Sequence, residues 1–176
     1  MPVKTWPQKW PERNQPIWGR ATRTDTERFC IEKSFDSLPW MIRKNVYTGT
    51  PWEPKVAYCR AKRVGTLIFV SGTVAVDQEG ITVGPGDLYL QTGYAIRKIE
   101  DALRELGAEL RHVVRTRTFV TDISRFEQFA RAHREAFEGI DPVATCVEIS
   151  RLVAPELLVE IEVDAVLEPE ENVPAQ

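Results

Sequence analysis

Beyond residue 55, apolar and polar residues recur with the periods that are typical of strands and helices. The segment VEIEVDAV, residues 159–166, places apolar side chains on one face of a strand and carboxylates on the other. The acidic face carries Glu160, Glu162 and Asp164. A face of this kind either lies in water or lines a pocket. The neighbouring residues indicate which of these two environments applies.

Four more segments have strand character. AYCRAKRV at 57–64 and LIFVSG at 67–72 are predicted to form a hairpin through a short turn that contains Gly65. VATCVEI at 143–149 precedes the acidic strand, and HVVRTRTFVTD at 112–122 forms a strand with two distinct faces. One face carries Val114, Thr116, Thr118 and Val120, and the other carries Arg115, Arg117 and Phe119.

Two amphipathic helices are predicted. In residues 88–106 apolar side chains recur every three or four positions, with Asp87 as the N-terminal cap and Gly107 at the end. A second helix follows a cap at Asp122 or Ser124. Its apolar stripe consists of Phe126, Phe129, Ala130, His133 and Phe137. A lone histidine on such a stripe is more often packed than a ligand, so a packed structural role is expected for it.

The order of these elements, β-β-(β)-α-β-α-β-β, predicts an α+β domain in which two helices cover one face of a single mixed sheet. The other face has no cover within the chain. Because that face combines Phe119 with Arg115 and Arg117, we expect it to close against copies of the same chain.

The chain is expected to divide into an N-terminal arm at 1–54, a domain at 55–168 and a C-terminal tail at 169–176. The arm holds seven prolines, which break regular structure, and all five tryptophans: Trp6, Trp10, Trp18, Trp40 and Trp52. Tryptophan is costly to leave in water, which favours an arm packed on the domain or on a neighbouring subunit. A partly disordered leader is the alternative.

Composition excludes several classes of protein. The 176 residues carry a net charge of −3, which disfavours nucleic-acid binding. The three cysteines and two histidines are too widely spaced for a metal site or a disulfide framework. The N-terminus lacks an apolar signal region, and no run approaches the ~20 apolar residues of a membrane span. We therefore expect a cytoplasmic protein with no membrane partner, no metal and no cofactor.

Five segments in this order resemble the Rid (YjgF) family of reactive-intermediate deaminases, also described as endoribonuclease L-PSP-type proteins. The segments are YCRAKRVGTLIFVSG, the helix with QTGYAIRKIEDAL, HVVRTRTFVTDISRFEQF, ATCVEISRL and LVEIEVDAV. The resemblance covers residues 55–167. It implies a chorismate-mutase-like homotrimer with pockets between subunits. It also implies hydrolysis of enamines and imines, such as 2-aminoacrylate, to 2-oxo acids and ammonia.

The resemblance also implies the site residues. Glu160 matches the glutamate that positions water, and Tyr58 matches the pocket tyrosine, so these two are the expected catalytic residues. The expected substrate-binding residues are Gly72, Thr73, Arg117, Phe119, Ala144, Thr145 and Cys146. Desolvation in an interface pocket should raise the pKa of Glu160 and suit it to acid-base work. A solvated glutamate is the alternative reading.

The chain departs from the family pattern at Ala144, where the deaminases place an arginine that clamps the substrate carboxylate. A methyl group cannot replace a guanidinium, whose pair with a carboxylate contributes ~2 to 3 kcal/mol. The usual asparagine of the second helix is replaced by Ala130. Arg117 or Arg60 could supply the missing cation, although an ion-paired or solvated arginine is favoured for both.

Other reactive side chains have structural readings. Glu162 and Glu148 are expected to pair with Arg151, Arg115 or Arg117. Cys146 has no histidine within its strand, which favours a small pocket-lining thiol over a nucleophile. Tyr58 can donate a hydrogen bond to substrate or simply pack.

Three functions are consistent with this sequence. The first is hydrolysis of an imine or enamine that depends little on a carboxylate clamp. The second is another reaction in the same pocket, such as a condensation, cyclisation or hydrolysis step of a specialised pathway. The third is a non-catalytic module that binds metabolites or protein partners.

Overall fold

Six strands form one mixed sheet in the computed structural model, which describes residues 43–168. The strands are β1 (Arg43–Val46), β2 (Ala61–Val64), β3 (Leu67–Val74), β4 (Val113–Val120), β5 (Val143–Glu148) and β6 (Val159–Val166). Their order across the sheet is β1-β2-β3-β6-β4-β5, and only β4 and β5 pair in parallel. The expectations for Trp6, Trp10, Trp18, Trp40 and the tail lie outside the described residues.

Three α-helices accompany the sheet in residues 43–168: α1 (Trp52–Val56), α2 (Leu88–Glu105) and α3 (Phe126–Phe137). The two long helices are those predicted, and the fold class predicted from sequence is confirmed. The five-residue α1 was not predicted; β1 lies within the stretch assigned to the arm, and α1 crosses the end of that stretch at residue 54. No helix in residues 43–168 is both long and apolar enough to cross a lipid bilayer.

The predicted hairpin is present, and its second strand is longer than expected. β2 and β3 pair antiparallel through a turn in which Gly65 has a φ of 62°. Beyond the hairpin, β3 pairs with β6, and the register shifts between Val70 and Thr73. This bulge lets β3 continue to Val74 instead of ending at Gly72, and it changes where the intervening side chains point.

Local hydrogen bonds fix the starts of the helices. Asp87 caps α2 as predicted, because its carboxylate accepts a bond of 2.9 Å from the Leu90 amide. Asp122 accepts from the Ser124 amide at 3.0 Å at the start of a short 3₁₀ turn that leads into α3. Beyond α2, Gly107 has a φ of 82°, a conformation that favours glycine.

The core lies between the sheet and the long helices. In β6 the predicted apolar face is buried throughout, from Val159 to Ala165. In β4 the prediction was wrong at one end, because Val113 is buried and Val114 is exposed. The cause is a register shift between Val113 and Arg115, which reverses the alternation of faces before Thr116.

The face of the sheet opposite α2 and α3 is called the open face below; neither long helix covers it, and residues between Asn45 and Cys59 line a groove on part of it. Large apolar side chains on it are partly exposed, with Phe69 at 45% and Val143 at 62% of their full accessibility. Such a surface is typical of an interface between subunits. Closure against copies of the same chain stays a prediction.

Candidate functional site

Glu160 lies directly over Gly72. The two residues are on neighbouring strands, at the bulge where the register of β3 against β6 shifts. A Cβ atom added at Gly72 would lie 1.8 Å from the Oε1 atom of Glu160 and 2.8 Å from its Cδ. The Glu160 carboxylate therefore occupies the space that any other side chain at position 72 would need.

The surroundings of Glu160 disfavour its charge. Burial raises the pKa of this carboxyl group, and the nearby negative charge of Glu162 raises the pKa further. The positive charge of Arg60 acts in the opposite direction and only partly offsets them. The predicted rise in pKa is confirmed, and its main cause is desolvation, as expected.

Arg60 holds the bulge together from beneath. Its side chain is buried, and its Nη1 atom donates to the Gly72 carbonyl at 2.6 Å, to Thr73 Oγ1 at 3.0 Å and to Ser71 Oγ at 3.2 Å. Its Nη2 atom donates to the hydroxyl of Tyr58 at 3.5 Å. The Arg60 guanidinium is thus bound to β3 and Tyr58, which leaves it little reach toward a ligand carboxylate.

Thr73 and Tyr58 are placed by these same contacts. Thr73 is fully buried, and its hydroxyl donates to the Ser71 carbonyl at 2.8 Å, so the side chain supports the bulge from within the core. Tyr58 is partly buried and follows Ala57, which has a left-handed φ of 60°. That turn directs the chain from α1 toward β2 beside the open face.

A groove of about 990 Å³ on the open face begins at Tyr58 and Ser71 and ends at a cluster of charges around Arg117. Arg117 donates to both carboxylate oxygens of Asp164, at 2.9 and 3.1 Å, and to Glu162 at 3.0 Å. The predicted pairing of Glu162 is confirmed. Because two carboxylates hold its guanidinium, Arg117 supplies no free cation for a substrate.

Two further predicted residues lie near this groove. Phe119 is opposite Glu160 in the register of β4 and β6, and Thr145 is opposite Arg117 in the register of β4 and β5. Glu148 is not held by an arginine of the described residues. Its carboxylate accepts a bond of 2.8 Å from the Ile123 amide instead.

A second groove, the α3–β5 groove, lies on the helix-covered side of the sheet and has a volume of about 700 Å³. Ala144 and Cys146 line it together with His133 and Ala130 of α3. Burial raises the pKa of the Cys146 thiol, which keeps it protonated and disfavours a nucleophilic role. The prediction of a pocket-lining thiol agrees with this environment.

His133 is packed, as predicted, and also lines the α3–β5 groove. Its ring lies between those of Phe129 and Phe137, with centroids 5.3 and 4.7 Å away, and its Nε2 atom is 3.0 Å from Thr116 Oγ1. Burial lowers the pKa of the imidazole. The sequence analysis did not place His133 beside Ala144. The apolar stripe of α3 and the face of β4 that carries Thr116 and Thr118 were the features from which this contact could have been inferred.

The predicted site residues thus form two groups on opposite faces of the sheet. Ala144 and Cys146 are opposite Thr116 and Thr118, which face the helices, whereas Glu160 alternates with the buried residues of β6 and faces away from them. One chain does not bring Glu160 and Ala144 into one cavity. Within residues 43–168, no three His, Cys, Asp or Glu side chains are grouped to hold a metal ion.

Comparison with known proteins identifies relatives of this architecture. Residues 49–167 match the family model described as Endoribonuclease L-PSP. A YjgF family protein of Mycobacterium tuberculosis with a solved crystal structure is 45% identical, with a TM-score of 0.66 over 72% of this chain and 100% of its own.

Two curated relatives align with this chain over most of their own length. A RutC family protein of Pyrococcus abyssi is 32% identical over 69% of this chain and 95% of the relative. The 3-aminoacrylate deaminase RutC of Acinetobacter baylyi is 29% identical over 64% of this chain and 88% of that protein.

Proposed function

The chain belongs to the Endoribonuclease L-PSP family, the family of YjgF and RutC proteins, and from this premise we propose that it hydrolyses the C=N bond of a small imine. An enamine would enter the same reaction after tautomerisation to the imine. The observation that carries the proposal is the Glu160 carboxyl, held over Gly72 with a raised pKa. The relative named 3-aminoacrylate deaminase supports it, because 3-aminoacrylate is an enamine.

The reaction needs one group that both accepts and returns a proton. Water adds to the imine carbon while Glu160 takes one proton from the water and passes it to the nitrogen, which gives a carbinolamine. Glu160 then takes the proton of the carbinolamine hydroxyl as the carbonyl forms and passes it to the same nitrogen, so that the carbon–nitrogen bond breaks and ammonia leaves. The products are a carbonyl compound and ammonia, and the carboxylate ends in its starting state. The raised pKa of Glu160 suits the return of a proton to nitrogen, because it makes the protonated carboxyl easier to form.

Tyr58 and Arg60 have supporting roles in this proposal. The Tyr58 hydroxyl lies at the groove beside the Arg60 guanidinium and is free to donate to the substrate nitrogen or to the attacking water. The positive charge of Arg60 lowers the pKa of Glu160 against the effect of burial, which favours the ionised form that acts as a base. Its hydrogen bonds to the bulge also hold Gly72 under the carboxylate.

A complete site requires two copies of the chain. The catalytic group around Glu160 and the α3–β5 groove around Ala144 lie on opposite faces of one sheet, so a substrate that touches both must lie between subunits. We propose a homotrimer in which the open face of one copy meets the β5 edge of the next. The exposed apolar residues Phe69 and Val143 support this assembly.

The reaction is tested by measuring ammonia release from a panel of imines generated in solution. Glu160→Gln keeps the shape of the side chain and should remove the enzymatic rate. Glu162→Gln is the matched control on the same face of β6. It should keep the activity and move the pH profile to lower pH, because the charge of Glu162 raises the pKa of Glu160. Equal rates in wild type and Glu160→Gln would contradict the proposal.

The shared site is tested by mixing two inactive variants. Glu160→Gln removes the catalytic carboxylate, and Ala144→Trp fills the α3–β5 groove. If the site lies between subunits, mixed trimers refolded from equal amounts should recover about a quarter of the wild-type rate, because one interface in four combines two intact halves. If both halves act within one subunit, no mixture recovers activity. Size-exclusion chromatography of each variant controls for assembly.

A further inference from the structure

We propose that the α3–β5 groove binds a neutral aromatic or branched apolar substituent of the substrate, at the place where a carboxylate would otherwise be held. The inference rests on the proposed imine hydrolysis and names the substrate class of that reaction. It is carried by the lining of the groove, by the absence of charge in its interior and by the balance of charges at its rim.

The wall of the groove is aromatic. Phe126, Phe129, His133 and Phe137 follow one another along α3, with ring centroids 5.6, 5.3 and 4.7 Å apart. Phe126 at the outer end is 43% exposed, whereas Phe129 and Phe137 are buried. All four residues line the groove, and an aromatic lining favours another ring or a branched alkyl group as the ligand.

The interior of the groove carries no charge near neutral pH. Ala144 contributes a methyl group and Cys146 a thiol that burial keeps protonated. The His133 imidazole is neutral, because burial lowers its pKa, and its Nε2 atom lies 3.0 Å from Thr116 Oγ1. None of these groups can compensate the cost of desolvating a carboxylate.

The charges at the rim also disfavour an anion. Arg134 lines the outer part of the groove, but so do Glu138 and Asp141. The rim therefore carries one guanidinium and two carboxylates, and an anionic ligand would meet an excess of negative charge. A volume of about 700 Å³ leaves ample room for a phenyl ring.

Three carbonyl compounds, which correspond to products of imine hydrolysis, show whether the groove prefers an apolar or a carboxylate substituent. Phenylacetone is aromatic and neutral, pyruvate carries a carboxylate, and acetone has neither group. Because burial of a phenyl ring stabilises a complex by an amount equivalent to about 10- to 100-fold in affinity, phenylacetone should bind wild type at least tenfold more tightly than acetone or pyruvate. Isothermal titration calorimetry of the full-length protein measures all three.

Variants at position 144 localise the binding. Ala144→Leu should weaken phenylacetone about tenfold by filling the groove and leave acetone unchanged, and a melting curve checks that the variant folds. Ala144→Arg should reverse the order, so that pyruvate binds more tightly than phenylacetone. The inference is overturned if wild type prefers pyruvate, if it binds none of the three, or if Ala144→Leu leaves phenylacetone affinity unchanged.

These binding measurements distinguish the inference from the proposed reaction. Glu160→Gln should bind phenylacetone as wild type does, because its carboxyl is not part of the α3–β5 groove. Absence of imine hydrolysis alongside the expected binding order would refute the reaction only. Hydrolysis that favours carboxylate-bearing imines would refute the substrate class only.

Discussion

The contact between Gly72 and Glu160 predicts a strong coupling between these two positions. An alanine at position 72 would place its Cβ 1.8 Å from Glu160 Oε1, 2.8 Å from Cδ and 3.2 Å from Cγ. Rotation of the carboxylate alone would move only the oxygens, so the whole Glu160 side chain has to leave its rotamer. Gly72→Ala should therefore displace the carboxyl from its buried position.

The magnitude follows from two opposing effects. Glu160 is half-buried and its carboxyl is the far end of a flexible side chain, so an enforced rotamer change costs about 0.5 to 1.5 kcal/mol. In the opposite direction, alanine in place of glycine stabilises by about 0.4 to 1 kcal/mol, because it restricts the unfolded chain. Gly72 has no positive φ, so the backbone accepts alanine without strain. In a Glu160→Ala background the clash disappears and only the stabilising effect is left.

Chemical denaturation of four proteins measures this coupling: wild type, Gly72→Ala, Glu160→Ala and the double variant. Protein concentration is held constant, because assembly of subunits shifts apparent stability. Gly72→Ala should stabilise Glu160→Ala and should stabilise wild type less or not at all, with a coupling free energy of about 0.5 to 1.5 kcal/mol. Additivity within about 0.3 kcal/mol would show that Glu160 does not lie over Gly72, and the site described above would then be wrong.

Three further predictions concern single contacts. Burial raises the pKa of Glu160, so its protonated state contributes stability at low pH that is lost as the pH rises through the folded pKa. Glu160→Gln stays neutral at every pH. It should therefore melt above wild type at about pH 8, and the difference in melting temperature should vanish near pH 4. Arg117→Met leaves Glu162 and Asp164 as adjacent like charges and should lower the free energy of unfolding in urea by about 1 kcal/mol, and by less in 1 M salt. A loss of stability that does not depend on salt would contradict the ion-pair assignment. Ala57→Gly should raise the melting temperature by relieving about 1 kcal/mol of left-handed strain, whereas Ala57→Val should lower it.

Local patterns were sufficient for most of the fold. The alternation of 159–166 gave the buried and acidic faces of β6 correctly, and the spacing of apolar residues gave α2 and α3. These features depend on the two periods of regular backbone, which are properties of neighbouring residues. Val114 was assigned to the wrong face because a bulge depends on the partner strand, and no pattern within one strand marks it.

The resemblance named the residues of the candidate site but not their arrangement within one chain. The resemblance pointed to Glu160, Gly72, Ala144 and Cys146, and the structure places all four at grooves or at the bulge. Their distribution over two faces was not predicted. It follows from the pairing of β4 with β5 on one side and with β6 on the other, which joins segments that are far apart in the chain.

The sequence by itself determined the class of fold and the positions of its long helices and strands. Only the tertiary structure decided that Glu160 lies over Gly72, that Arg60 is bound to the bulge, and that His133 borders a neutral groove. The physical reason is that pKa values, clashes and cavities depend on what lies within a few ångströms in space. In a sheet of this order, those neighbours come from strands that the chain visits at widely separated positions.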